Sequence, residues 1–324
     1  MPLGHKKLSA WYHQLAQQLE AGLPLADALR SSRGTGMPPA GLETMAQEIE
    51  RGGSIEQAFS LGERWLPLSD RQVVCAAAEA GRMPHILNRL STRHAELGTA
   101  KLRLLLACGY PIAILHLGLV LLPVMRMIDW EKGLTWDALA YARALASLLL
   151  PLWAAIALLM VLGRRRNPWL LRVGRTLPFV GGYIRAQALA DFSFTLGNFL
   201  ETGMLVGRAW SVAGSTATLP ELKTAAQSMG PVIERGEKPG TSLARWPCFP
   251  ADFVALYHTG ETTGQLDQNL LRLARQYQER ANRSLTAATL FYPALMFAFV
   301  AGAVALAVVK MYGGYLKSIA NLAT

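Results

Sequence analysis

Three stretches of this 324-residue chain, 104–125, 144–163 and 286–309, contain no Asp, Glu, Lys or Arg. Each is about as long as a helix must be to cross a hydrocarbon core of roughly 30 Å. The sequence therefore predicts three membrane-spanning helices. Composition agrees: 52% of the residues are hydrophobic and only 17% charged, a mixture that two ordinary soluble domains would not show. The net charge of +10 calls for an anionic counterpart, with anionic lipid, an acidic partner or nucleic acid as the candidates and lipid favoured beside spanning segments.

Lys and Arg beside a span are retained in the cytoplasm, so their distribution predicts orientation. Arg89, Arg93, Lys101 and Arg103 precede the first span, and Arg164, Arg165, Arg166, Arg172 and Arg175 follow the second. The loop between them mixes Arg126, Lys132 and Arg143 with Asp129, Glu131 and Asp137, while Arg272, Arg275, Arg280 and Arg283 precede the third span. The expected order is a first cytoplasmic helical domain (1–103), a span (104–127), a short external loop (128–138) and a second span (139–163). A second cytoplasmic domain (164–285), a third span (286–310) and an external tail (311–324) follow. The first residues are amphipathic, with no apolar core leading to a small-residue cleavage site, which places the N-terminus in the cytoplasm. Arg164, Arg165 and Arg166 are read as a topological anchor beside acidic headgroups rather than a nucleic-acid patch.

The two cytoplasmic domains repeat each other. A shift of 181 residues lays Leu8 on Leu189, Trp11 on Phe192, Leu15 on Leu196, Glu20 on Glu201, Gly22 on Gly203 and Leu23 on Met204. A shift of 184 lays Ile49-Glu50-Arg51-Gly52 on Ile233-Glu234-Arg235-Gly236, and one of 183 lays Gly81 on Gly264 and Arg89-Leu90 on Arg272-Leu273. Tyr-Pro pairs at Pro111 and Pro293, near the cytoplasmic ends of their spans, continue the match; neighbouring helices can satisfy the carbonyls such prolines free. Within the first copy, Leu8, Trp11, Tyr12, Leu15 and Leu19 recur at the three- and four-residue spacing of a buried helix face. Both copies then reach an acidic residue, one further residue and a glycine, the pattern of a helix closed by a left-handed cap and followed at once by another helix. No β-branched alternation is long enough for a strand, so the fold class expected is all-α, an integral membrane protein with two repeated helical bundles and three spans.

These motifs resemble the type II secretion F family, the inner-membrane platform proteins of secretion systems and type IV pili. The second copy carries FLETGMLVGRAW at 199–210 and GETTGQLDQNLLRLA at 260–274, and the first carries QLEAGLPLADAL at 18–29 and a weaker AEAGRMPHILNRLS at 78–91. In the weaker motif Glu79 stands two residues before Gly81, whereas Glu261 stands three before Gly264. The resemblance implies a non-enzymatic, multi-pass inner-membrane platform that couples a hexameric secretion ATPase to polymerisation of pilin or pseudopilin subunits. Other inner-membrane assembly proteins, and further copies of the chain in a homo-oligomer, are the remaining expected partners, with no nucleic acid among them.

Glu20, Glu201 and Glu261 lie near helix ends, where a carboxylate can cap local backbone donors or bind a partner or a cation. Gly22, Gly81, Gly203 and Gly264 are read as structural. No catalytic, cofactor or metal residues are assigned. The six histidines show no H-E-x-x-H spacing, and no G-x-x-x-x-G-K-[ST] phosphate loop occurs, so energy has to come from a partner. The rival class is a subunit of an oligomeric membrane transporter, for which three nearly uncharged helices offer a poor path on their own.

Overall fold

The computed structural model describes residues 3–129, 133–134, 136–164 and 174–322. Arg165, Arg166, Arg172, Glu131 and Lys132, used above for orientation, lie outside the described residues. The fold is all-α apart from a two-residue antiparallel ladder, Ile128–Asp129 against Gly133–Leu134, inside the expected external loop. The described residues divide into two compact units: Met1–Lys101 with Tyr183–Asn282, and Leu102–Gly182 with Arg283–Thr324.

In the first unit, His5–Glu20 turns Leu8, Trp11, Tyr12 and Leu15 fully inward, while Leu19 is half-buried at the end of the same stripe. The same stretch continues through Leu25–Ser31, Pro39–Glu50, Ile55–Ser60, Leu68–Glu79 and the start of Met83–Arg126. Ser54 and Gln57 make a reciprocal capping box that fixes the start of Ile55–Ser60. The later stretch packs Val180–Glu201, Val206–Thr216, Pro220–Glu234, Pro239–Ser242, Ala251–Thr263 and the start of Leu266–Leu322 around Phe192, Phe199, Trp210, Phe253 and Tyr257. Burying each such side chain stabilises the fold by about 1.5–3 kcal/mol. Trp210 Nε1 donates to the Tyr257 hydroxyl at 2.9 Å, which keeps two polar atoms satisfied inside this core.

The second unit has the opposite surface. Among the described residues, every exposed large apolar side chain outside it is one of Leu23, Leu61, Leu68 and Leu205, and all the others lie on or beside its helices. They include Leu106, Leu117, Leu150, Leu158, Phe299 and Leu306. One segment, Ala138–Leu158, is long and apolar enough to cross a membrane by length and composition, and a shorter apolar stretch is Ile112–Val124. The expected first and third spans lie within Met83–Arg126 and Leu266–Leu322, and the latter helix does not stop at Lys310 but runs on through the expected tail. Pro151 sits inside Ala138–Arg164, and Pro293 sits inside Leu266–Leu322.

Candidate functional site

The glutamates and glycines singled out by sequence lie at or near helix ends in the first unit. Gly22 and Gly203 adopt φ of +85° and +82°. In both turns the glycine N–H bonds to the carbonyl three residues back and the next N–H to the carbonyl five back, the latter as Leu23 to Gln18 at 3.0 Å and Met204 to Phe199 at 3.1 Å. This double bond pattern closes a helix and reverses the chain, and it needs a residue at home with positive φ. A Cβ at either position would meet nothing within 4 Å, so the demand is on the backbone dihedral and not on space. Gly81 and Gly264 close Leu68–Glu79 and Ala251–Thr263 at φ of +68° and +72°.

The two glutamates before the first pair of glycines have different surroundings. Glu20 is exposed and accepts one hydrogen bond, from Asn88 Nδ2 at 2.8 Å, within its own stretch. Glu201 is mostly buried and forms ion pairs with Arg89, whose Nη1 contacts Oε2 while Nη2 reaches Oε1 at 3.3 Å. His85 Nδ1 lies 3.8 Å from Oε1, and Arg82 Nη1 donates to the Glu201 backbone carbonyl at 2.8 Å. Arg89 also donates to Asn198 Oδ1 at 2.7 Å, and one turn on Arg93 pairs with Asp191 and stacks 3.9 Å from the Phe194 ring centre. Positions 82, 89 and 93 of one stretch are thereby held against 191, 198 and 201 of the other. Bidentate and cation–π contacts of this kind fix orientation as well as distance.

A cleft of about 220 Å³ continues this seam, with Leu68, Arg71, Cys75 and Glu79 on one side and Phe199 and Met204 on the other. Burial, followed by the nearby Glu56 and Glu79 carboxylates, pushes the Cys75 thiol up to about 11, so it stays protonated at neutral pH. Glu261 behaves differently again: its Oε2 accepts the Gly240 N–H at 3.3 Å, and burial raises its carboxyl above the ordinary range. Pro111 and Pro293 belong to the other unit, where Tyr292, directly before Pro293, donates to the Pro178 carbonyl at 2.9 Å. Among the described residues, no group of three or more His, Cys, Asp or Glu could hold a metal ion.

The sequence reading named Glu201 but not its partners. Arg93 was visible only as a positive flank of a span, Arg89 as such a flank and as the match of Arg272, and Asp191 and Asn198 carried no signal, because pairing between distant helices is set by packing and leaves no local spacing. The seam is a joint between two helical stretches, built from charge-assisted hydrogen bonds.

The chain thus combines an all-helical unit with glycine-closed hairpins and helices that expose apolar side chains, one of them long and apolar enough to cross a membrane among the described residues. The family profile described as "Type II secretion system (T2SS), protein F" matches residues 11–128 and 192–313, and this chain belongs to that family. The second match begins at Phe192, the residue that the shift of 181 lays on Trp11, where the first begins. The chain is similar to a type IV pilus assembly protein PilC of Pseudomonas aeruginosa, at 22% identity over 94% of this chain and 88% of that protein. A type II secretion system protein F of the same organism is 24% identical over 95% of this chain and 81% of its own length. A PilC of Thermus thermophilus is 26% identical over 98% and 84%.

Proposed function

We propose that this protein is a non-enzymatic inner-membrane platform of a type II secretion or type IV pilus assembly machine, coupling a cytoplasmic hexameric ATPase to pilin or pseudopilin polymerisation. The observation that carries this reading is the family match over both halves of the chain, with relatives named for those two machines. In this reading the unit containing both helical stretches is cytoplasmic, the apolar helices form three spans, and the N-terminus is cytoplasmic. Support for the spans comes from the exposed apolar side chains of the second unit, which in water would form a far larger patch than a soluble monomer carries. Support for an internal duplication comes from the paired glycine dihedrals and the two profile matches. The Arg89–Glu201 joint would let force received by one stretch reach the other without a flexible linker. The expected partners are the ATPase, pilin-like subunits, other inner-membrane assembly proteins, lipid and further copies of the chain.

Deleting the gene tests this directly. Loss of filaments or of secretion, with pilin synthesis intact, is the expected result; normal assembly in the deletion strain overturns the reading.

A further inference from the structure

The seam joins unlike faces. In the first stretch the contacting positions are Arg82, Arg89 and Arg93, and in the second they are Asp191, Asn198 and Glu201. A two-fold arrangement would pair the residues equivalent to these in the opposite sense, setting Arg272 against Glu20 within one chain. It does not do so: Glu20 bonds to Asn88 of its own stretch, and Arg272 is exposed. The internal joint is therefore head to tail, and each stretch keeps one face of the type that the other has used.

Those two faces are open. In the first stretch, Ala10, His13, Gln17, Glu20 and Leu23 stand where Asp191, Phe194, Asn198, Glu201 and Met204 stand in the second, and all five are exposed. None of their five counterparts at the seam is exposed, and Leu23, at 38%, is one of the few large apolar side chains this unit shows to solvent. In the second stretch, Gln265, Gln268 and Arg272 occupy the positions of Arg82, His85 and Arg89, and they too are exposed. The ion pair that anchors the joint, Arg89 with Glu201, has both its counterparts intact and unlike in charge on the two open faces, as Arg272 and Glu20. The second pair, Arg93 with Asp191, is replaced by Gln276 and Ala10.

We infer that copies of this chain associate head to tail, the Glu20 face of one docking on the Arg272 face of the next in the manner of the internal Arg89–Glu201 joint. The inference rests on the duplication argued above. A heterologous contact leaves one face of each kind free at every step, so it repeats until a ring closes or the row ends. Apolar helices held in one bilayer confine that repetition to a plane. With one ion pair where the internal joint has two, association between copies is weaker than the joint and reversible on dilution.

The test uses the full chain in detergent, its association followed by native mass spectrometry and by light scattering over a dilution series. Glu20→Arg and Arg272→Glu each place like charges at the contact, and each is expected to weaken association roughly tenfold. The double variant Glu20→Arg/Arg272→Glu restores an opposite pair between neighbouring copies and is expected to regain most of the loss. Circular dichroism on every variant confirms that the helices remain. Unchanged association of both single variants overturns the inference, and so does failure of the double variant to recover. Because the readout is association and not assembly of filaments, either failure leaves the platform reading standing.

Discussion

The two helical stretches anchor the same helix start in different ways. In the first, Asp70, only 6% exposed in the first turn of Leu68–Glu79, accepts from the Tyr12 hydroxyl at 3.0 Å and pairs with His94 Nε2 at 2.7 Å. His94 Nδ1 in turn meets His5 Nδ1 at 2.8 Å, so four side chains from three helices form one buried chain of bonds. In the second stretch Asp252 opens Ala251–Thr263; it accepts from Tyr277 at 2.9 Å, the residue a shift of 183 lays on His94, and pairs with exposed Arg280 at 2.7 Å. Under that shift Asp252 stands one position before the residue laid on Asp70, so the ties are comparable in place but not in register, and the aspartate is buried in the first stretch and partly exposed in the second. The Glu20 and Glu201 pair shows the reverse, with the exposed carboxylate in the first copy. The two stretches share the glycine-closed backbone turn and differ in the side chains around it, according to which face is covered.

Mutations can break or sharpen this contrast. The largest effect is expected from His94→Leu, which leaves the buried Asp70 carboxyl without one of its two hydrogen-bond partners; denaturant unfolding of the full chain should show a loss of about 3 kcal/mol. Tyr277→Phe removes one bond to a carboxylate that keeps its Arg280 partner, and should cost about 1 kcal/mol. Comparable losses for the two would break the comparison. Glu201→Ala should cost about 1–2 kcal/mol, since it strands Arg89 in a mostly covered seam, whereas Glu20→Ala should stay within about 0.5 kcal/mol.

Gly22→Val and Gly203→Val, by contrast, should be alike at about 1–2 kcal/mol, because the strain lies in a dihedral both positions share and nothing crowds a new Cβ. The effect at Glu261 is small and shows itself as a pH dependence. Burial raises its carboxyl in the folded chain, so ionising it costs stability, and its contribution falls as pH rises from below the ordinary carboxylate value of 4.5 through the raised one. Glu261→Gln should flatten that pH dependence and leave stability at neutral pH unchanged or higher by under about 1 kcal/mol, as read from unfolding curves between pH 4 and 7.

Much of the fold was legible because its signals are local. The Leu8, Trp11, Tyr12, Leu15 stripe and the glycines at 22 and 203 specify a helix, its buried face and its end within one or two turns of chain. The bonds that join helices were not legible. Asp70, Tyr12 and His94 look in sequence like an N-terminal acid, one member of an apolar stripe and a histidine near a basic flank; only packing brings them together. The same holds for Arg89 and Glu201, which are 112 residues apart. No helix breaker marks the expected end of the third span at Lys310, and Leu266–Leu322 runs through it as one helix.

The most direct test of the platform account is crosslinking in intact cells, followed by affinity purification of this protein and identification of what comes with it. The account predicts a hexameric secretion ATPase together with pilin-like proteins. Recovery of a solute-binding protein, with neither of these present, would contradict it.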